Sequence, residues 1–329
     1  MSNGATGMGA AADREAGLPA NRGGWTLVLL VGALLPMGMD AAAQKPSAHW
    51  ERAGLPPPRG WAAQVLQAMA TLEAPAPEGV SKAEGRAWLS RWVVSPRICL
   101  VHSPEGKPSR ALRDLLERSG WRVVRDTPNS RPGEPGVRAL AAGAALWIGL
   151  EAGEKIRQAP GPVAPGFSPP FFGAVQAVRL KVVRANDGTA ILDDSWKAQG
   201  EGVSPQAAER AMLANLVEAL KVKVKALRAK VPPEAAVVSF RIQKAEPDSP
   251  IVLDWLASTP GGAKRVPHEP SQPGTLSVSL PEGPGALLVA AATAGSLRVE
   301  SLEPLVLTEK VRTGPTTPPQ RLDGLATPR

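Results

Sequence analysis

Tyrosine is absent from this 329-residue chain, cysteine occurs once, histidine three times and phenylalanine four times. The single Cys99 excludes an internal disulfide, so no covalent staple supports the fold. It lies in the apolar run "RICLVH", where a thiol reads as a small, inert core residue. His49, His102 and His268 are far apart and lack metal-ligand spacing. No G-x-S-x-G, S-x-x-K, H-E-x-x-H, paired-cysteine motif, P-loop or G-x-G-x-x-G occurs. The sequence therefore names no catalytic residue, no metal site and no cofactor.

What is abundant points elsewhere. Apolar residues make up 43% of the chain, enough to bury a core. The 35 prolines and 33 glycines gather between patterned segments and mark linkers. The wealth of Ala, Arg, Gly and Pro beside scarce Phe fits a GC-rich bacterial genome. A net charge of +8 favours acidic partners, but carboxylates are interspersed nearly everywhere, which reads as general solubility.

The amino terminus has the three parts of a secretory signal. Arg22 precedes an apolar run from Trp25 to Met39, and Ala41-Ala42-Ala43 offers a small-residue cleavage site before Gln44. The run is short of the roughly 20 residues that span a bilayer. The expectation is a cleaved signal over 1–43 and a periplasmic protein, with no nucleic acid as partner. The alternative is an inner-membrane anchor formed by the uncleaved run. No cysteine follows it to carry a lipid.

Residues 44–95 read as a loose Pro-rich segment followed by short helices. "GWAAQVLQAMATL" spaces Trp61, Val65, Met69 and Leu72 as an amphipathic helix. "SKAEGRAWLSRW" opens with Ser81 and Glu84 in capping-box spacing, and Trp88 and Trp92 face the core one turn apart. From Pro96 an α/β pattern begins. "RICLVH" is a strand buried on both faces. "SRALRDLLERSG" is a helix with Ser109 as N-cap, "WRVVRD" a strand, "VRALAAGA" a short helix and "ALWIGLEAGE" a third strand. "APGPVAPGFSPPFF" is a Pro-rich loop. "AVQAVRLKVVRA", "NDGT" and "AILDDSWKAQGEG" form a hairpin turning at Asp187-Gly188. Ser204-Pro205 then starts a helix with Ala208, Met212, Leu216 and Leu220 on one stripe. Its basic end carries Lys221, Lys223, Lys225, Arg228 and Lys230.

"VPPEA" closes this first domain, 96–231. Beyond it "VVSFRI", "IVLDWLAS", "TLSVSL", "ALLVAAAT", "SLRVESL" and "PLVLTE" read as six short strands. The fold class expected is an α/β (α+β) domain with a small mixed sheet and flanking helices, followed by a small all-β sandwich-like domain over 236–312. Residues 313–329 read as a disordered tail.

The order from Pro96 to Leu220 resembles the amino-terminal α/β domain of the TolB family. CsgG-like curli-secretion proteins, flagellar assembly protein T and lipoprotein activators of penicillin-binding proteins share it. The matching residues are "PRICLVH", "ALRDLLERSGWRVV", "AALWIGLE", "AVRLKVVRANDGTAIL" and "SPQAAERAMLANLVEAL". The resemblance spans about 125 residues and implies a non-catalytic domain that docks a cell-envelope protein. No propeller repeats and no lipid-bearing cysteine are present, and the histidine of the TolB closing helix has no counterpart.

Three functions follow as expectations. The first is an exported, non-enzymatic envelope protein that docks a protein partner through its α/β domain. The second is contact with anionic lipid or polysaccharide through Lys221, Lys225 and Arg228, which share a helix face. The third is an exported hydrolase centred on His102 and Ser103 at a strand end. Asp193 and Asp194 are adjacent in a strand, point to opposite faces and make no carboxylate pair. Asn186, Asp187 and Asp193 lack the Ca²⁺-loop spacing.

Overall fold

A computed structural model describes residues 48–127, 133–158, 171–243, 246–267 and 274–309. The predicted signal segment, residues 159–170 of the Pro-rich loop predicted over 159–172, His268 and the tail lie outside the described residues. The chain opens with α1 (Ala48–Ala53), α2 (Gly60–Thr71) and α3 (Lys82–Val93). Then come β1 (Ser95–His102), α4 (Lys107–Arg118), β2 (Arg122–Arg125), α5 (Pro135–Ala141) and β3 (Ala144–Gln158). The hairpin β4 (Phe172–Arg184) and β5 (Ala190–Gly202) leads into α6 (Pro205–Lys230). There follow β6 (Ala236–Gln243), α7 (Pro250–Ala257), β7 (Lys264–Arg265) and β8 (Thr275–Leu280). The last elements are α8 (Gly285–Ala294), β9 (Leu297–Leu302) and β10 (Leu305–Glu309). No helix among the described residues is long and apolar enough to cross a membrane.

The first sheet has the order β2-β1-β3-β4-β5. β1 runs parallel to β2 and β3, while β3, β4 and β5 pair antiparallel. Alternation along each strand sorts its side chains. Cys99, Val101, Leu146, Ile148, Val178 and Leu180 join Leu112 and Leu116 of α4 and the Met212-Leu216-Leu220 stripe of α6 in one core. Ile98, Leu100, Trp147 and Val183 belong to a second core, shared with α1, α2, α3 and the carboxy-terminal elements.

The helix starts follow from local chemistry. Ser81 and Glu84 form the expected capping box on α3. The Ser204 hydroxyl accepts from the Ala207 N–H at 3.2 Å to cap α6. In the hairpin turn Gly188 takes φ +74°, and the Asp187 carboxylate accepts from the Thr189 N–H at 2.9 Å. Gly200 is required by packing instead. A Cβ there would lie 2.0 Å from the Met212 backbone nitrogen, so α6 sits on β5 only because that side chain is missing.

The carboxy-terminal elements form a β-rich unit around a second five-stranded sheet, β7-β8-β6-β10-β9. An α/β domain followed by a β-rich one is thus observed. Two of the six predicted strands are helices. "IVLDWLAS" forms α7, begun by Ser249, whose hydroxyl accepts from the Val252 N–H at 3.4 Å, and by Pro250 at the first turn. "ALLVAAAT" forms α8, buried on nearly every side against α2, α3 and α7, so it shows no amphipathic stripe.

Two further corrections concern the amino-terminal half. The segment read as loose contains α1, whose Trp50 is fully buried and donates to the Pro56 carbonyl. Ser109 does not cap α4. The helix starts one turn earlier, at Gly106 with Pro108 in the first turn, and Ser109 is buried and donates to the Pro104 carbonyl.

Candidate functional site

Helices α4 and α6 cover one face of the first sheet. On the other face α5 packs on β3, and the edge strand β2 projects beyond it. Beside β2 lies a cleft of about 400 Å³. Its floor is Ile98 and Leu100 of β1, Val124 of β2, Trp61 of α2 and Ala141 of α5. Arg122 and Val124 share this face because they are two residues apart on one strand, while Arg125 alternates to the other side and borders the cleft from the end of this edge strand.

One wall is formed by Pro56 and Pro57 of the run Pro56-Pro57-Pro58. Prolines have fixed φ and no N–H to pair, so the run stands as an extended rib. Both its ends are tied: the Trp50 indole donates to the Pro56 carbonyl, and the Arg59 N–H donates to the Ala141 carbonyl at 2.9 Å.

The rim is cationic. Arg59, Arg122, Arg125 and Arg138 border the cleft, against Asp126. The Asp126 side chain is only 2% exposed and is held from several sides. Arg138 approaches it at 2.6 Å, the Trp147 indole donates to it at 3.3 Å, and His102 Nδ1 lies at 3.3 Å. Arg138 also stands over the Trp147 ring, 5.5 Å from its centroid, and His102 stacks on the same ring. Arg122 meets Glu282, which in turn accepts from the Ser95 hydroxyl at 2.7 Å. Among the described residues, the Arg59 and Arg125 side chains form no ion pair.

The residues singled out by sequence fall in different places. His102 stands at the strand end as expected, where it faces Asp126, and no hydrogen bond among the described residues joins it to Ser103. Burial pushes the Cys99 thiol up to about 12, the mark of an inert core residue. Asp193 and Asp194 do face opposite ways. Asp193 takes a two-pronged hydrogen bond from Arg179, at 2.8 and 2.9 Å, which holds its carboxyl below the usual range. Asp194 binds Lys223, which lies over Trp196. Asp187 is occupied by Arg184 and Thr189. No cluster of His, Cys, Asp and Glu among the described residues has metal-binding geometry.

The basic helix end is exposed. Lys221, Lys225 and Arg228 are all solvent-facing, and among the described residues only Lys221 of the three has an ion-pair partner, Glu218 one turn back at 3.5 Å. Val222 beside them is 65% exposed, whereas Val224 is buried in the α6 stripe. Sequence reasoning missed the cleft altogether. The one signal available was "LPPPRGW", a rigid Pro run joined to an arginine and a tryptophan.

No family model matches the chain, and no curated protein sequence matches it. Solved structures similar to it include lipoprotein GNA1162 from Neisseria meningitidis, at 12% identity over 40% of this chain and 99% of that one, with a TM-score of 0.28. A minor lipoprotein from Acinetobacter baumannii is 9% identical over 41% of this chain and 94% of that one, with a TM-score of 0.27. Protein XCC0632 from Xanthomonas campestris, of family model DUF330, is 8% identical over 43% and 91%, with a TM-score of 0.23.

Proposed function

We propose that this chain is an exported, non-enzymatic protein of the bacterial cell envelope whose α/β domain works by binding. The observation that carries the reading is the cleft: an apolar floor under an arginine rim, with one buried carboxylate already engaged. Such a lining favours holding a ligand or partner over activating one. The apolar run Trp25–Met39 with its small-residue end supports export. The TolB-like element order supports docking to an envelope protein as the partner class.

Two measurements test this. Fractionation with amino-terminal mass analysis should recover a chain beginning near Gln44 from the periplasm; a cytosolic chain retaining its leader contradicts export. Photocrosslinkers placed on the α/β domain, for example at Ala142 or Arg125, should trap an envelope protein in vivo. Adducts formed only from the second sheet contradict docking through the first.

A second reading rests on the exposed helix end. Lys221, Lys225 and Arg228 lie on one face of α6 beside the exposed Val222, a surface suited to anionic lipid or polysaccharide. Reversing the three charges should abolish binding to anionic vesicles; unchanged binding removes this reading.

A further inference from the structure

We infer that the cleft beside β2 binds a small amphiphilic anion: an aliphatic chain lying on Ile98, Leu100 and Val124, with a carboxylate or phosphate head at the arginine rim. The inference concerns the ligand class of the cleft and holds wherever the chain resides.

The cleft is chemically divided. Its floor is apolar, formed by Ile98 and Leu100 of β1 and Val124 of β2 and closed in by Trp61 of α2 and Ala141 of α5, with Ile98 and Leu100 only 2% and 4% exposed. Its upper edge carries four guanidinium groups. Two of them are already neutralised, Arg122 by Glu282 and Arg138 by Asp126. Arg59 and Arg125 have no ion-pair partner among the described residues, and they supply the charge an anionic head would meet. The planar fork of arginine suits a carboxylate or phosphate better than a lysine would.

Unpaired donors reinforce this. The Trp61 indole N–H and the Arg138 Nε, both on cleft-lining residues, are buried with no hydrogen-bond acceptor among the described residues. Buried donors are normally paired, and an anionic head brings acceptors to them.

The site is also pre-set. The Pro56-Pro57-Pro58 rib is pinned at Pro56 to Trp50 and at Arg59 to Ala141, so binding orders little backbone. At about 400 Å³ the volume lies at the small end of ligand pockets and fits a single short chain. A neutral chain would leave the guanidiniums unanswered, and a bare anion would leave the floor wet.

Calorimetric titration of the full chain with decanoate, octanoate, decyl phosphate and decanol tests this. Decanoate or decyl phosphate should saturate at one per chain, and comparing the two identifies the preferred head. Octanoate should bind about fifteenfold more weakly than decanoate, from two lost methylenes at about 0.8 kcal/mol each. Decanol should bind at least about tenfold more weakly, for want of charge-assisted hydrogen bonds.

The double variant Arg59→Ala/Arg125→Ala should lower decanoate affinity about tenfold or more with an unchanged circular dichroism spectrum. Ala142→Phe, which fills the cleft from the C-cap of α5, should abolish binding, while Lys225→Ala outside it should not. Equal affinity for decanol and decanoate overturns the inference. So does an unchanged Arg59→Ala/Arg125→Ala variant, saturation by neither anion, or affinity confined to anionic vesicles.

Discussion

On one face of the first sheet, Cys99, Val101, Leu146 and Ile148 lie sealed beneath α4 and α6. On the other, Ile98 and Leu100 of the same strand run out from beneath α5 to the floor of a cleft. Neighbouring residues of one six-residue apolar run thus serve opposite ends. The sealed face uses close approach and a continuous stripe on a long helix. The open face uses an edge strand, prolines and arginines around a cleft. Apolar content alone does not distinguish them; what covers each face does.

Breaking the sealed face should have the largest effect. Leu216 is fully buried in the α6 stripe, and Leu216→Ala should cost about 3–4 kcal/mol in urea unfolding through the lost contacts and the cavity left behind. Gly200→Ala should cost about 3 kcal/mol, because its Cβ would strike the Met212 backbone and push α6 off β5.

The boundary of the two faces is Asp126. Asp126→Asn leaves the half-buried Arg138 without its counter-charge and should cost about 2 kcal/mol. It should also tighten anion binding in the cleft, which calorimetry would show.

On the open rim, Arg125→Ala should change stability by less than about 0.5 kcal/mol, since the side chain is exposed and forms no ion pair among the described residues. The smallest effect belongs to Cys99. With its thiol pushed up to about 12 it stays protonated at pH 8, so alkylating reagents should leave it unmodified until the chain unfolds. Rapid native-state labelling at pH 8 would show that the sealed face opens.

The sealed face was legible in the sequence and the open one was not. Ser204-Pro205, the Met212-Leu216-Leu220 stripe and Asp187-Gly188 are local signals that a single window reveals. The cleft draws on Pro56, Leu100, Arg125 and Arg138, four segments that only the fold brings together. In the carboxy-terminal unit, α8 misled because a helix buried on nearly every side has no polar face. α7 misled through its β-branched start, "IVL", although Ser249-Pro250 repeats the cap-and-proline signal of Ser204-Pro205.

Hydrogen exchange of the full chain with and without decanoate tests most directly whether the open face is where this domain binds. The account predicts added protection over Arg59–Trp61 and Arg122–Thr127, and no change along Lys221–Lys230. Protection confined to the basic helix end, or none at the cleft, would contradict it.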